Sequence, residues 1–413
     1  EISACLVGSE MCIRDSPQPL RGAALAQLPV IENGFVLMEG ADIVAYGSMD
    51  QLPHPVTHFP NRIDAGNRAV LPCWCDSHTH LVFPQSRENE FVDKIRGLSY
   101  AEIAARGGGI LRSAARLEQL SEDQLVAGAL PRLQEAISNG TGSIEIKSGY
   151  GLSFTGELKM LRAIRALRQL SPIPVKATFL GAHAYPVAYK DDHAAYIRML
   201  THELLPVIAA EQLADYVDVF CETGFFSPAE MQEVVQAALQ FGLKPRLHVN
   251  QLSSCGGLQK ALALNAVSAD HLEVMTQQDI EDLSASATIG TLLPTAAFFL
   301  RMPFQPARQL IDAGAAVALA SDFNPGSSPS SNMNLVVSMA CIGMRMLPEE
   351  AINAATINGA FALELDRQLG SIAQGKRANL IITRPIPSLA YLPYAFGSNL
   401  VEQVIINGSV YSP

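Results

Sequence analysis

Short β-rich or apolar runs punctuate the chain at residues 69–73, 142–146, 175–180, 216–221, 245–249, 266–269, 288–293 and 316–320. Between most of them the apolar positions fall at helical spacing, as over 156–170 and 228–241, the alternation expected of a parallel sheet with crossover helices. Eight such units predict an α/β fold, a closed (β/α)8 barrel of the TIM type over residues 66–365. The ends of the chain have another rhythm. Residues 34–63 carry short alternating runs broken by Gly and Pro, and 378–382 with 401–410 resemble them. A small β-sandwich domain built from both termini, residues 1–65 and 366–413, is therefore expected. The first fifteen residues fit neither pattern and read as a loose or foreign leader. No internal repeat of 20 to 50 residues and no low-complexity tract argues for a solenoid or propeller.

Most of the eight runs end in polar residues: Asp76 to His80, Lys147 to Tyr150, His183, Glu222, His248 to Gln251, Asp270-His271 and Ser321 to Asn324. In such a barrel the C-terminal strand ends face the active site, so the chemistry is expected there. His78 and His80 lie two apart, and the strand period of two aims both imidazoles at a common point. Neutral imidazoles suit Zn or Fe ions, and a third His with a carboxylate from other strands would leave one position open for water. His248 and Asp322 are the natural completions. Asp322 ends a buried strand where an unpaired charge is costly. It reads either as a ligand that also accepts a proton from the attacking water or as the N-cap of the next segment.

His271 suits orientation of that water or stabilisation of an oxyanion, or else a hydrogen-bonded supporting role, and the same alternatives hold for His183. A carbamylated Lys147 or a bridging Glu222 would make a two-metal site; a single metal is the preferred reading. Arg87 is either a guanidinium gripping a substrate carboxylate or a solvated surface residue. Tyr150 sits in a Gly-flanked loop that brings backbone and phenol close to a ligand. The turn from Asn324 through Gly326 and Ser327 lies beside Asp322. His54, His58, His193 and His202 have no convergent partners and read as surface residues.

Composition narrows the classes. Of 413 residues 48% are hydrophobic and 17% charged, enough apolar surface to rule out a disordered chain. A net charge of −11, with no local basic stripe, makes nucleic acid an unexpected partner. No apolar stretch reaches the roughly 18 residues of a membrane span. Seven cysteines without repeated spacing argue against a disulfide framework, with Cys73 and Cys75 as core thiols beside Trp74. Together with the absence of a secretion-signal order, this makes a cytoplasmic location the expectation.

The segments Asp76-Ser77-His78-Thr79-His80, Lys147-Ser148-Gly149-Tyr150-Gly151-Leu152, Leu180-Gly181-Ala182-His183, Leu247-His248-Val249-Asn250-Gln251 and Ser321-Asp322-Phe323-Asn324-Pro325-Gly326 together resemble the imidazolonepropionase family of the metal-dependent amidohydrolase superfamily. The resemblance runs from about Gly34 to the C-terminus. His-x-His is common to the superfamily; the Lys147 and Ser321 segments are far more specific. The resemblance implies hydrolysis of 4-imidazolone-5-propanoate to N-formimidoyl-L-glutamate in histidine degradation. It implies one Zn or Fe ion held by His78, His80, His248 and Asp322. Arg87, Tyr150, His183 and Gln251 would contact the substrate, and Asn324, Gly326 and Ser327 the open product. Asp322, His271 and Gln251 form the implied catalytic set. Hydroxide positioned by His271 would attack the ring carbonyl carbon, with proton delivery to the ring nitrogen as the cyclic C–N bond breaks.

Two departures stand out. Related deaminases carry Glu where this chain has Gln251, which cannot shuttle protons, so Asp322 and His271 are left as proton carriers. Asn379 stands where the superfamily usually has Asp, far from the site, and is expected to matter for structure only. A homodimer is expected, as is common for such barrels. The alternatives are another mononuclear amidohydrolase, such as a heterocyclic amine deaminase, and an inactive barrel serving as a scaffold.

Overall fold

A computed structural model describes residues 4–66, 68–98 and 108–413. Strands are numbered along the chain. Eight parallel strands form one sheet in sequence order: β6 (Trp74–Asp76), β7 (Thr141–Lys147), β8 (Val175–Ala182), β9 (Tyr216–Cys221), β10 (Lys244–Val249), β11 (Ser268–His271), β12 (Ile289–Leu292) and β13 (Val317–Leu319). Contacts between the two end strands and their outgoing loops close it into a barrel. Asp76 accepts Ser321 N–H at 2.9 Å and its hydroxyl at 2.5 Å. Asp322 N–H donates to His78 O at 3.0 Å, and Thr79 pairs with Phe323 as a parallel bridge.

The crossover helices pack their apolar stripes on the sheet. Helix Glu122–Ser138 buries Leu125, Ala129, Leu133 and Ile137, and Phe154–Leu170 buries Leu158, Leu161, Ile164 and Leu167. Ser121, Ser153, Ser227 and Thr276 each cap a helix by accepting an N–H of its first turn, which fixes where these helices start. Among the described residues, no helix is long and apolar enough to cross a membrane.

The remaining strands make one mixed sheet from both ends of the chain: β1 (Ala4–Cys12), β2 (Val30–Glu39), β3 (Asp42–Ser48), β4 (Arg62–Asp64), β5 (Ala69–Pro72), β14 (Leu380–Thr383), β15 (Val401–Ile406) and β16 (Ser409–Val410). Leu6, Val36, Met38, Val70, Leu380 and Ile405 form its own apolar cluster.

Two expectations are corrected. Residues 4–12 are no loose leader but a central strand, paired with β2, β4 and β5. Register shifts at Val7, Ser9 and Met11 break the period of two, so the alternation that marks a strand is hidden. The run at 69–73 does not open the barrel. Its residues form β5, hydrogen-bonded between β1 and β14, and the chain enters the barrel after Cys73. Four consecutive buried apolar residues carry no sign of which sheet they join. Asn379 ties the two sheets together, donating from Nδ2 to Gly142 O at 3.1 Å and accepting Asn407 N–H at 2.8 Å. Cys73, Cys75 and Trp74 are buried, and all seven cysteines are free.

Candidate active site

The strand ends bring five of the expected side chains together. His78 and His80 leave β6, His248 lies on β10, His271 ends β11, and Asp322 follows β13. The His78 ring centroid lies 4.5 Å from that of His248, 5.4 Å from His80 and 5.6 Å from His271. Asp322 Oδ1 is 3.6 Å from His78 Nε2 and 3.5 Å from His80 Nε2. All five are at most 3% exposed. Two overlapping triads, His78 with His80 and Asp322, and His78 with His248 and His271, have ligand atoms close enough to share one cation.

The backbone is bent to reach this arrangement. His271, Leu272 and Asp322 have φ of 88°, 67° and 49°, a region costly for these residue types and concentrated at functional sites.

What surrounds the rings decides which nitrogens face inward. His78 donates Nδ1–H to Asp270 at 2.7 Å, and His248 donates Nδ1–H to Asp218 at 2.7 Å. Each carboxylate thereby fixes one tautomer and leaves Nε2 as a lone pair aimed at the cluster. His78 Nε2 and His80 Nδ1 are buried without a hydrogen-bond partner. Burial and the neighbouring cationic groups and rings hold His78, His80 and His248 well below the usual imidazole range, so they are neutral ligand-type rings. Burial pushes the Asp322 carboxyl up to about 7, against the opposing pull of the His271 charge. An orphaned His78 Nε2, 3.6 Å from a destabilised carboxylate that also faces His80 Nε2, is what a divalent cation would satisfy. The cluster points to a divalent metal.

His271 differs. Burial opposes its charge, but Glu273, 3.3 Å from Nδ1, together with Asp322 and Asp270, outweighs burial and raises the ring to about 9.

A cavity of about 570 Å³ opens over the cluster, lined among the described residues by His80, Tyr150, His183, His248, Gln251, His271 and Asp322, with Arg87, Lys94, Phe220, Met302 and Gly326 further out. His183 donates Nδ1–H to Gly149 O at 3.0 Å, turning Nε2 to the cavity, and burial lowers its pKa to about 4. The Tyr150 phenol is 3% exposed, and its loop is pinned by buried Glu157, which accepts the N–H groups of Gly149, Gly151 and Leu152 at 2.7 to 3.0 Å.

Arg87 is not a free surface residue. Its guanidinium is held by Ser113 Oγ at 2.8 and 3.1 Å and lies 5.5 Å from the Tyr150 ring. Gly326 leaves it room: a Cβ there would stand 2.6 Å from Arg87 Nη1. Asn324 spends its side chain on its own loop, accepting Gly326 and Ser327 N–H groups at 2.8 Å and donating to Asp322 O and Ser327 Oγ. Its amide therefore holds the turn, and the residue also lines the cavity.

Lys147 and Glu222 are committed elsewhere. Lys147 sits 2.8 Å from Glu145 and 2.9 Å from Asp218. Glu222 accepts Gln251 N–H at 2.6 Å, Leu252 N–H at 3.1 Å and the Ser253 hydroxyl at 2.7 Å, so both its oxygens are engaged by the loop after β10. His54, His58, His193 and His202 are exposed. Sequence reasoning passed over the roles of Asp218, Asp270, Glu157, Glu273, Ser113 and Lys94. Asp218 carried a usable signal: a carboxylate inside the apolar strand Tyr216–Cys221 must have a buried partner.

The amidohydrolase family model matches residues 69–411. An imidazolonepropionase of Flavobacterium johnsoniae is 54% identical over 389 residues, covering 94% of each chain. One from Christiangramia forsetii is 51% identical with the same coverage. The chain belongs to the imidazolonepropionase family of amidohydrolases. At the level of fold alone, an adenosine deaminase from Xanthomonas campestris with bound zinc superimposes with a TM-score of 0.71 at 18% identity, covering 99% of this chain and 92% of that one.

Proposed function

We propose that this chain hydrolyses the ring amide of 4-imidazolone-5-propanoate to give N-formimidoyl-L-glutamate, a step of histidine degradation. The observation that carries the reading is the position of Arg87, a cation held at the rim of a cavity whose floor is three neutral histidines and a buried carboxylate. A small heterocycle bearing a carboxylate tail fits that polarity. His78, His80, His248 and Asp322 would hold one Zn or Fe ion, which supplies Lewis acidity and a more acidic water.

The chain's own groups then have defined tasks. Arg87 binds the propionate through paired hydrogen bonds. Tyr150, His183 Nε2 and Gln251, which line the cavity, offer polar atoms to the imidazolone ring. Asp322 accepts the proton of the attacking water and passes it to the ring nitrogen as the amide C–N bond breaks. His271, cationic through Glu273, faces the carbonyl oxygen and stabilises the charge that develops there. Gly326 and Ser327 border the space the opened chain takes up; Asn324 shapes their turn.

Gln251 has no carboxylate with which to run the proton transfers of a deamination. We infer a homodimer in a reducing, cytoplasmic setting, consistent with seven free cysteines. Product analysis tests the chemistry: formimidoylglutamate without ammonia supports ring hydrolysis, and stoichiometric ammonia from a heterocyclic amine supports the deaminase alternative.

A further inference from the structure

Beneath the histidine cluster lies a layer of five charged side chains, Glu145, Lys147, Asp218, Arg246 and Asp270, all fully buried. Lys147 enters it from β7 and reaches across the barrel interior. Its ammonium stands 2.8 Å from Glu145 Oε1, 2.9 Å from Asp218 Oδ2 and 3.8 Å from Asp270 Oδ2. Asp218 Oδ2 and Asp270 Oδ2 are the atoms that accept Nδ1–H from His248 and His78. Those two aspartates lie on β9 and β11, with no bond between them. Arg246 stands at a similar 3.9 Å from Asp270 but reaches only that aspartate among the two, and its hydrogen bonds go to Ser77 O and Ala362 O.

We propose that Lys147 is a positioning residue: one buried ammonium holds the Asp218 and Asp270 carboxylates in place, so that His248 and His78 present Nε2 to the same point. The ammonium lies against the same Oδ2 atoms that accept the two imidazole Nδ1–H groups, and without it both carboxylates lose the buried charge partner that fixes them in this dry layer. The rings would then be free to turn or to change tautomer. Because a single side chain supports two rings from different strands, its loss disturbs both together. Glu145 contributes differently. It accepts Thr79 N–H at 3.2 Å and the Thr178 hydroxyl, so it anchors Lys147 without touching either aspartate–histidine pair.

This inference rests on the metal-site reading. The test is zinc affinity, measured on metal-free protein by competition with a chromophoric chelator, for wild type, H78A, K147M, K147Q and E145Q, with folding followed by circular dichroism. K147M and K147Q should weaken zinc roughly 10- to 100-fold, the range for loss of groups that orient metal-binding histidines, while E145Q stays within a few-fold of wild type. Cobalt-loaded K147Q should also show a displaced visible absorption band, which a merely stabilising role would not produce. K147Q retains amide donors and decides the question if K147M does not fold. Folded lysine variants that bind zinc within twofold of wild type, or an E145Q loss equal to theirs, would overturn the proposal. Wild type that binds zinc no better than H78A would overturn the metal-site reading and this inference with it.

Discussion

Glu222 Oε1 accepts the backbone N–H of Gln251 at 2.6 Å, so a buried carboxylate at the end of one strand sets the loop that carries Gln251 from the next. Replacing Glu222 with Ala removes acceptors for three donors. A lost hydrogen bond to a charged group costs about 1.5–3 kcal/mol. The expected result is a kcat/KM lower by about tenfold or more with bound metal unchanged at one per chain. A wild type that holds two metals per chain and a variant that keeps one would instead identify Glu222 as a bridging ligand.

The proposed function assigns recognition of the carboxylate tail to Arg87. Arg87→Met should raise KM far more than it lowers kcat, at about 2 kcal/mol in kcat/KM for a lost charge-assisted interaction. The wild type should also prefer the free acid over its methyl ester, and the variant should lose that preference. Equal discrimination in both proteins would place the carboxylate elsewhere in the cavity.

Gly326→Ala tests the same contact from the other side. The added methyl would meet Arg87 Nη1 at 2.6 Å, and the far end of a flexible side chain has to yield. The expectation is a several-fold higher KM with an unchanged melting temperature. An unchanged KM would mean that the present Arg87 position is not the one used in binding.

Much of this was readable in advance because the signals were chemical and local. His78, His80, His248, His271 and Asp322 stand directly after apolar runs, and the rule that barrel chemistry gathers at strand C-termini placed them together. What escaped was set by tertiary contact. Nothing in the sequence near Glu157 says that its carboxylate holds the Tyr150 loop, or that Ser113 pins Arg87. The assignment of Ala69–Pro72 to the small sheet depends on β1 and β14, strands far off in sequence. The stretch Ala4–Cys12 was obscured by its register shifts.

Asn379 provides a stability test away from the site. Its Nδ2 donates to Gly142 O in a buried position, so Asn379→Asp sets a carboxylate oxygen against a carbonyl. Thermal or urea unfolding should show a loss of about 1–3 kcal/mol, with the activity of the remaining folded protein unaltered. Lost activity at full stability would show that the contact between the two sheets reaches the catalytic face.

The most direct test of the central claim follows the ultraviolet absorbance of 4-imidazolone-5-propanoate with native protein, chelator-stripped protein, stripped protein given back Zn or Fe, and an Asp322→Ala variant. Turnover by the native and reconstituted protein, with none by the stripped protein or the variant, is the predicted result. A well-folded, metal-loaded chain that leaves the absorbance unchanged, or a stripped chain that turns over at the native rate, would contradict it.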